Sequence, residues 1–219
     1  MKVMLFGASG MVGQGVLREC LLDVGVEKVL SIGRIASGFT HAKFAEIVLA
    51  DLSRIEDLDS ALEGYDACFD SLGASAAGMS EADYARQTYE LTLTMARALV
   101  TRNPGMTFIY VSGAGTDSSE RGRAMWARVK GRTENALLAL PFKAAFMFRP
   151  AVIQPLHGVR SKTAAYRVFY AVLGPLMPLL RRAFPQYVTT TEQIGHAMLR
   201  VARQGAPNRV LETSDINAL

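Results

Sequence analysis

Two kinds of segment, each with its own pattern of apolar and polar residues, follow each other along the 219-residue chain. Short, nearly continuous apolar runs are separated by longer segments in which apolar residues recur with helical spacing, a pattern typical of parallel strands joined by crossover helices. The runs 108–111 and 144–148 are almost wholly apolar, as expected of strands that helices cover on both faces. The sequence therefore predicts an α/β fold with a doubly wound parallel sheet, a Rossmann fold.

The predicted elements fill the first two thirds of the chain. The predicted strands are 2–6, 28–32, 45–49, 67–72, 107–112 and 144–148, and the predicted helices lie near 11–23, 54–63, 80–101 and 122–140. After Pro150 the pattern is less regular, with a helical segment at 191–203 and a short apolar run around Leu211. We expect a single domain, 1–219, in which about 150–219 form a small cap on the substrate side.

A glycine loop follows the first predicted strand and opens the first predicted helix, where backbone N–H groups can hold a pyrophosphate. One glycine serves the tight turn, one lets the backbone approach the phosphates, and one allows close packing of helix on strand. The alternative is a glycine-rich turn that serves packing only. The loop residues predicted to bind a dinucleotide are Gly7, Ser9, Gly10, Met11, Val12 and Gly13.

The end of the second predicted strand favours NADP(H) over NAD(H). The segment after it offers no carboxylate for ribose hydroxyls and places Arg34 where a 2′-phosphate would lie. Arg34 could also be an ordinary solvated loop residue. Asp51 and Leu52 are candidate adenine contacts, although Asp51 could equally cap the next helix.

Leu72 and Gly73 follow the fourth predicted strand, at the sheet edge that cofactors cross, and are predicted cofactor contacts. Tyr84 and Tyr89 share a predicted helix and are candidate proton donors. The last candidates, Tyr166 and Tyr170, lie one helical turn apart.

Composition narrows the function classes. The net charge is +4, but the basic residues are dispersed, so we expect no nucleic-acid partner. Cys20 and Cys68 lie in apolar stretches and are interpreted as reduced, buried thiols. The three histidines have no metal-ligand spacing, so no metal site is predicted; His157 is a candidate acid/base or a plain loop histidine.

Two further segments bear on location and partners. The N-terminal residues match a strand and not a secretory signal, which predicts a cytoplasmic protein. The apolar stretch 166–180 is too short and too interrupted to span a bilayer. With its flanking basic residues it could contact an anionic membrane surface or line a substrate pocket, but packing against the sheet or in a homodimer is favoured.

Four further segments, 66–73, 110–117, 129–134 and 149–150, accompany the glycine loop in order. Together they resemble the short-chain dehydrogenase/reductase superfamily, particularly its atypical members similar to the Tat-interacting-protein and NmrA-like groups. The resemblance implies catalytic roles for Ser112 and Lys130, with Lys130 also binding the nicotinamide ribose. Ser112 could equally be a turn former, and Lys130 could be a solvated helix lysine. The family's tyrosine, four residues before the lysine, is replaced by Trp126, whose indole donates a hydrogen bond but cannot exchange a proton.

Two functions follow from this combination. The first is an NADP(H)-dependent oxidoreductase or epimerase that acts on a small carbonyl or hydroxyl substrate with a different acid/base. The second is a catalytically silent NADP(H)-binding regulator or redox sensor, which the loss of the tyrosine favours. An adaptor that uses the fold without nucleotide ranks third.

Overall fold

The computed structural model describes residues 1–159, 174 and 177–219. Most of the apolar stretch 166–180 lies outside the described residues, and so do the candidates Tyr166 and Tyr170. The interpretations of that stretch as a membrane-surface, pocket or dimer segment therefore stay predictions. In the described part of the chain, no helix has both the length and the apolar character needed to cross a membrane.

Seven parallel strands form the main sheet in the order β3-β2-β1-β4-β5-β6-β9. These strands are β1 Lys2–Phe6, β2 Lys28–Gly33, β3 Phe44–Val48, β4 Ala67–Asp70, β5 Thr107–Val111, β6 Ala144–Arg149 and β9 Val210–Glu212. A second, two-stranded parallel sheet pairs β7 (Val152–Gln154) with β8 (Val188–Thr190). The strand order reverses direction at β1, and the crevice above such a reversal is where open α/β sheets bind ligands.

The helices are α1 Met11–Leu22, α2 Glu81–Ala85, α3 Leu91–Arg102, α4 Met125–Leu138, α5 Met177–Ala183, α6 Thr191–Gln204 and α7 Thr213–Ala218. A π-helical turn, Arg86–Glu90, joins α2 to α3, so the helix predicted at 80–101 is present with a local irregularity. The helix predicted at 54–63 is instead a 3-10 segment, Leu52–Leu62, broken at Asp59 by a φ of 39°. Its few buried residues give it too little apolar surface to hold a regular α-helix against the sheet.

Helices cover both faces of the sheet, which confirms the doubly wound fold. Alternate residues of β1 point to opposite sides. Met4 and Phe6 join one core with α3, α4 and the 3-10 segment. Val3 and Leu5 join the other core with α1 and α6. Every central strand is therefore buried on both faces, which explains why the strands are apolar at nearly every position.

Local hydrogen bonds explain where the predicted ends differ from those observed. β4 ends at Asp70 because its carboxylate Oδ1 accepts the Leu72 N–H at 2.9 Å, which turns the chain. α4 begins at Met125 and not near 122 because Asp117 accepts the N–H groups of Arg121 at 3.0 Å and Gly122 at 2.6 Å. These bonds hold the residues before α4 in a loop.

Much of the region 150–219 belongs to the main sheet and its helix layer. β9 extends the sheet beside β6. α6 packs closely on α1, since a Cβ added at Gly15 would lie 2.5 Å from the Cβ of Thr191. Among the described residues, the part left to form a cap is the β7-β8 pair with α5.

We predict that Gly13→Ala destabilises the fold much more than Gly10→Ala does. A Cβ at Gly13 would lie 2.0 Å from the carbonyl oxygen of Gly7, which is backbone and cannot move aside. At Gly10 the nearest atom would be the same oxygen at 3.3 Å. Overpacking of this kind costs about 1–3 kcal/mol or more. Urea denaturation should show that loss for Gly13→Ala and a change under about 1 kcal/mol for Gly10→Ala; equal losses would contradict the interpretation.

Candidate functional site

A groove of about 710 Å³ lies above the carboxyl ends of β1, β2 and β4. Three segments form most of its wall: the glycine loop, the end of β2 with the residues after it, and the residues that follow β4. Ala151 and Ile153 close it from the side of β6 and β7. The predicted cofactor residues that line it are Gly7, Ser9, Gly10, Met11, Val12, Arg34, Leu72 and Gly73.

Backbone contacts at Gly7 and Gly13 hold the glycine loop and leave no room for a side chain at either position. Gly7 has a φ of +81°, and a Cβ there would lie 2.7 Å from the carbonyl oxygen of Ser71. Gly13 lies beneath the loop against Gly7 and not in the groove wall. Gly10 precedes α1, and within the described part of the chain no side chain caps the N–H groups at the start of this helix. These groups face a site that suits an anion, as in other phosphate-binding helix N-termini.

Arg34 is exposed in the groove wall and forms no ion pair with any residue that the structure describes. Sequence reasoning missed its neighbour Glu46, which also lines the groove. Glu46 pairs with Ser31 across β2 and β3, and its two carboxylate oxygens each accept the Ser37 N–H at 2.9 Å. Glu46 thus fixes the loop that carries Arg34. The sequence signal for Glu46 was a charged residue within the otherwise apolar predicted strand 45–49.

Asp51 and Leu52 do not line the groove. The Asp51 carboxylate accepts the Ser53 N–H at 2.9 Å and caps the 3-10 segment, which is the alternative that the sequence left open. Leu52 is buried in the core beside Ile55. The geometry gives no support to adenine contacts by either residue.

Ser112 and Lys130 lie together just beyond the end of β5, outside the groove wall. The Lys130 ammonium donates a hydrogen bond to the Ser112 carbonyl oxygen. The Ser112 hydroxyl is buried and donates to the Glu134 carboxylate, which forms a buried ion pair with Arg149. Ser112 therefore has its hydroxyl engaged within the protein, and the loop it begins is tied to α4 and β6.

Trp126 lies one helical turn before Lys130 on α4. Its six-membered ring packs over the loop after β5, where a Cβ added at Gly115 would lie 3.4 Å from it. The indole N–H can donate a hydrogen bond but cannot exchange a proton.

A buried acidic residue, Asp70, lies directly under the groove and was missed by sequence reasoning. Burial raises its pKa to about 7, against the lowering effects of the Leu72 N–H and the Lys130 charge. Burial lowers the pKa of Lys130 to about 8, while the charges of Glu134 and Asp70 act to raise it. The sequence signal for Asp70 was a lone carboxylate in an otherwise apolar strand.

The remaining candidates lie away from the groove wall. His157 contacts the Glu192 carboxylate on the surface. Tyr84 is buried against the core, and the Tyr89 ring lies under the Arg132 guanidinium at 4.0 Å. Burial raises the pKa of both free thiols, Cys20 and Cys68, as their apolar surroundings predict.

The parallel sheet, its strand order and the groove above its glycine loop define a dinucleotide-binding Rossmann protein. Residues 7–139 match a family model described as NAD(P)H-binding. The chain belongs to this family and, as its motifs predict, to the atypical short-chain dehydrogenase/reductases.

The similar proteins agree with this family assignment, and a solved structure agrees with the fold. The chain is 30% identical over 193 residues to the mitochondrial protein fmp52 of Emericella nidulans. The aligned residues cover 84% of this chain and 81% of the relative. It is 27% identical over 154 residues to protein HTATIP2 of Rattus norvegicus, covering 69% of this chain and 62% of that protein. The Bordetella bronchiseptica enzyme WbmF in complex with NAD+ has the same fold, with a TM-score of 0.69, 14% identity, and coverage of 99% and 76%.

The expected cytoplasmic location is contradicted by these comparisons. The fmp52 protein of Emericella nidulans and its counterparts in Scheffersomyces stipitis and Meyerozyma guilliermondii are named mitochondrial proteins. The expectation failed because the lack of a secretory signal pattern excludes only one of several targeting routes.

We predict that Asp70→Asn stabilises the protein more at pH 8 than at pH 4. The folded-state pKa of Asp70 is raised to about 7 from 3.8, so ionisation in the folded protein costs stability as pH rises between these values. Each pKa unit corresponds to about 1.4 kcal/mol, and the lost attraction to Lys130 offsets part of the gain, which leaves about 1–3 kcal/mol.

Urea denaturation at the two pH values measures this difference. Asp66→Asn, which removes an exposed carboxylate at the other end of β4, is the matched control. The same stability change for Asp70→Asn at both pH values would contradict the raised pKa.

Proposed function

We propose that the protein is an NADP(H)-dependent oxidoreductase or epimerase of the atypical short-chain group, acting on a small carbonyl or hydroxyl substrate. The observation that carries the proposal is the groove over the glycine loop, with the Arg34 guanidinium in its wall and no ion-pair partner for it among the described residues. Such grooves hold a dinucleotide at the point where strand order reverses.

Arg34 supports NADP(H) over NAD(H). Its guanidinium can grip a 2′-phosphate with paired, charge-assisted hydrogen bonds. Glu46 is the carboxylate that could instead favour free ribose hydroxyls, because the single Ser37 N–H that its oxygens share leaves acceptor capacity on them. Arg34 is the more exposed of these two charged groups among the described residues of the groove wall, and this exposure supports a contact with a 2′-phosphate.

Other groups of the chain would bind the remaining parts of the cofactor. The N–H groups at the start of α1 would hold the pyrophosphate. The Lys130 ammonium would donate to the nicotinamide ribose, as the family resemblance implies. The nicotinamide, when bound, supplies or accepts a hydride. The Ser112 hydroxyl donates to the Glu134 carboxylate. Its carbonyl oxygen separately accepts a hydrogen bond from the Lys130 ammonium and so helps to hold that side chain.

A second candidate is a catalytically silent NADP(H)-binding regulator or redox sensor. Trp126 favours it, because replacing a general acid/base costs about 10²–10⁴ in rate. The names of the fungal relatives further lead us to propose a mitochondrial location for this chain. Binding to a protein partner, to a second copy of the chain or to a membrane surface stays a prediction.

Arg34→Ala should weaken NADPH binding selectively. Loss of charge-assisted hydrogen bonds costs about 1.5–3 kcal/mol, or roughly 10–100-fold in Kd, whereas the Kd of NADH should change less than about twofold. Calorimetric titration with both cofactors measures this difference. Arg97→Ala, at an exposed arginine on α3 away from the groove, controls for net charge. Equal weakening of both cofactors by Arg34→Ala would refute the assignment.

Trp126→Tyr should raise NADPH oxidation against a panel of carbonyl compounds by about 10²-fold, because it restores a hydroxyl that can exchange a proton. Trp126→Phe, with an aromatic ring but no hydroxyl, should give no gain. Slow but measurable turnover by the wild type supports an enzyme. Turnover in the tyrosine variant alone would favour the regulator, and no gain in that variant would contradict the role given to this helix position.

A further inference from the structure

The Asp70 carboxylate is fully buried directly below the groove wall. The next three residues, Ser71, Leu72 and Gly73, line the groove. One carboxylate oxygen accepts the Leu72 N–H at 2.9 Å. The other, Oδ2, is buried and has no hydrogen-bond partner among the described residues. A buried carboxylate with a free oxygen is costly unless an opposite charge compensates it.

The Lys130 ammonium lies at the same corner of the sheet. It donates to the Ser112 carbonyl oxygen, just past the end of β5, the strand that pairs with β4. In that pairing Asp70 lies opposite Tyr110, two residues before Ser112. Asp70 at the end of β4 and Lys130 on α4 therefore lie in one buried region, where their charges act on each other although these two described residues form no direct ion pair.

The other titratable groups around this corner are three neutral groups and one carboxylate. Burial raises the pKa of Tyr84, Tyr110 and Cys68, so all three stay neutral near pH 7. The Glu134 carboxylate pairs with Arg149 and accepts the Ser112 hydroxyl, and its charge raises the pKa of Lys130 more than the charge of Asp70 does. Among the described residues, Asp70 is the facing carboxylate that has no cation of its own.

We propose that Asp70 is a positioning residue for Lys130: its buried carboxylate helps to keep the ammonium charged just beyond the groove wall, and so extends the pH range in which the groove holds its cofactor. The second half rests on the proposed function, in which Lys130 donates to the nicotinamide ribose. Loss of a proton from Lys130 lowers the charge that attracts the cofactor. Asp70 delays that loss to higher pH because an opposite charge favours the ammonium form.

The first test uses the protein without cofactor. NMR titration of lysine ¹³Cε resonances, with Lys130 assigned by Lys130→Met, should give a midpoint near 8 for Lys130 in the wild type. Asp70→Asn should lower that midpoint by about one unit, a tenfold change in proton affinity. Asp70→Glu, which keeps the charge, should restore most of it, and Asp66→Asn should leave it unchanged. An unmoved midpoint in Asp70→Asn would overturn the proposal.

The second test measures the Kd of NADPH from pH 6 to 9. We expect wild-type affinity to fall as pH passes about 8, and the fall to start about one unit lower in Asp70→Asn, with similar affinities at pH 6. Lys130→Met should bind weakly without this pH dependence. Binding with the same pH profile in wild type and Asp70→Asn would overturn the proposal. A shifted NMR midpoint without any NADPH binding would leave the pair standing and refute the proposed function.

Discussion

The close approach of α1 to the end of β1 is the constraint on which the groove depends. Gly13 lies so close to the Gly7 carbonyl that no side chain fits between them, and Gly7 in turn lies against the backbone of Ser71. These two contacts bind the first strand, the first helix and the end of β4 into one rigid corner. The groove wall follows from that corner, because the loop N–H groups and residues 71–73 are fixed relative to each other.

Buried charge is the second feature that organises the site. The Glu134–Arg149 pair joins α4 to β6, and it holds the Ser112 hydroxyl as well. A buried pair of this kind adds little net stability, but breaking it by removing one partner typically costs about 3–5 kcal/mol. It therefore specifies how α4 sits on the sheet, and with it the position of Lys130.

The sequence predicted what depends on local spacing. Strand periodicity placed β1 correctly, and the spacing of Gly7, Gly10 and Gly13 identified the loop. It could not predict features made by residues far apart in the chain. The Ser112 hydroxyl looked available until Glu134, 22 residues later, was found to accept it. The burial of Asp70 likewise depends on strand β5 and helix α4, which no local pattern describes.

We infer that the groove over the glycine loop holds a dinucleotide, and Gly10 tests this most directly because an added Cβ there would meet the chain at 3.3 Å, a far milder contact than the 2.0 Å at Gly13. The measurement is the Tm of wild type and Gly10→Ala with and without saturating NADPH. At about 100 times Kd the cofactor adds about 2.7 kcal/mol, or roughly 5–10 °C for a domain of this size. We expect that rise for the wild type and little or none for Gly10→Ala. An equal rise in both proteins, or no rise in the wild type, would contradict it.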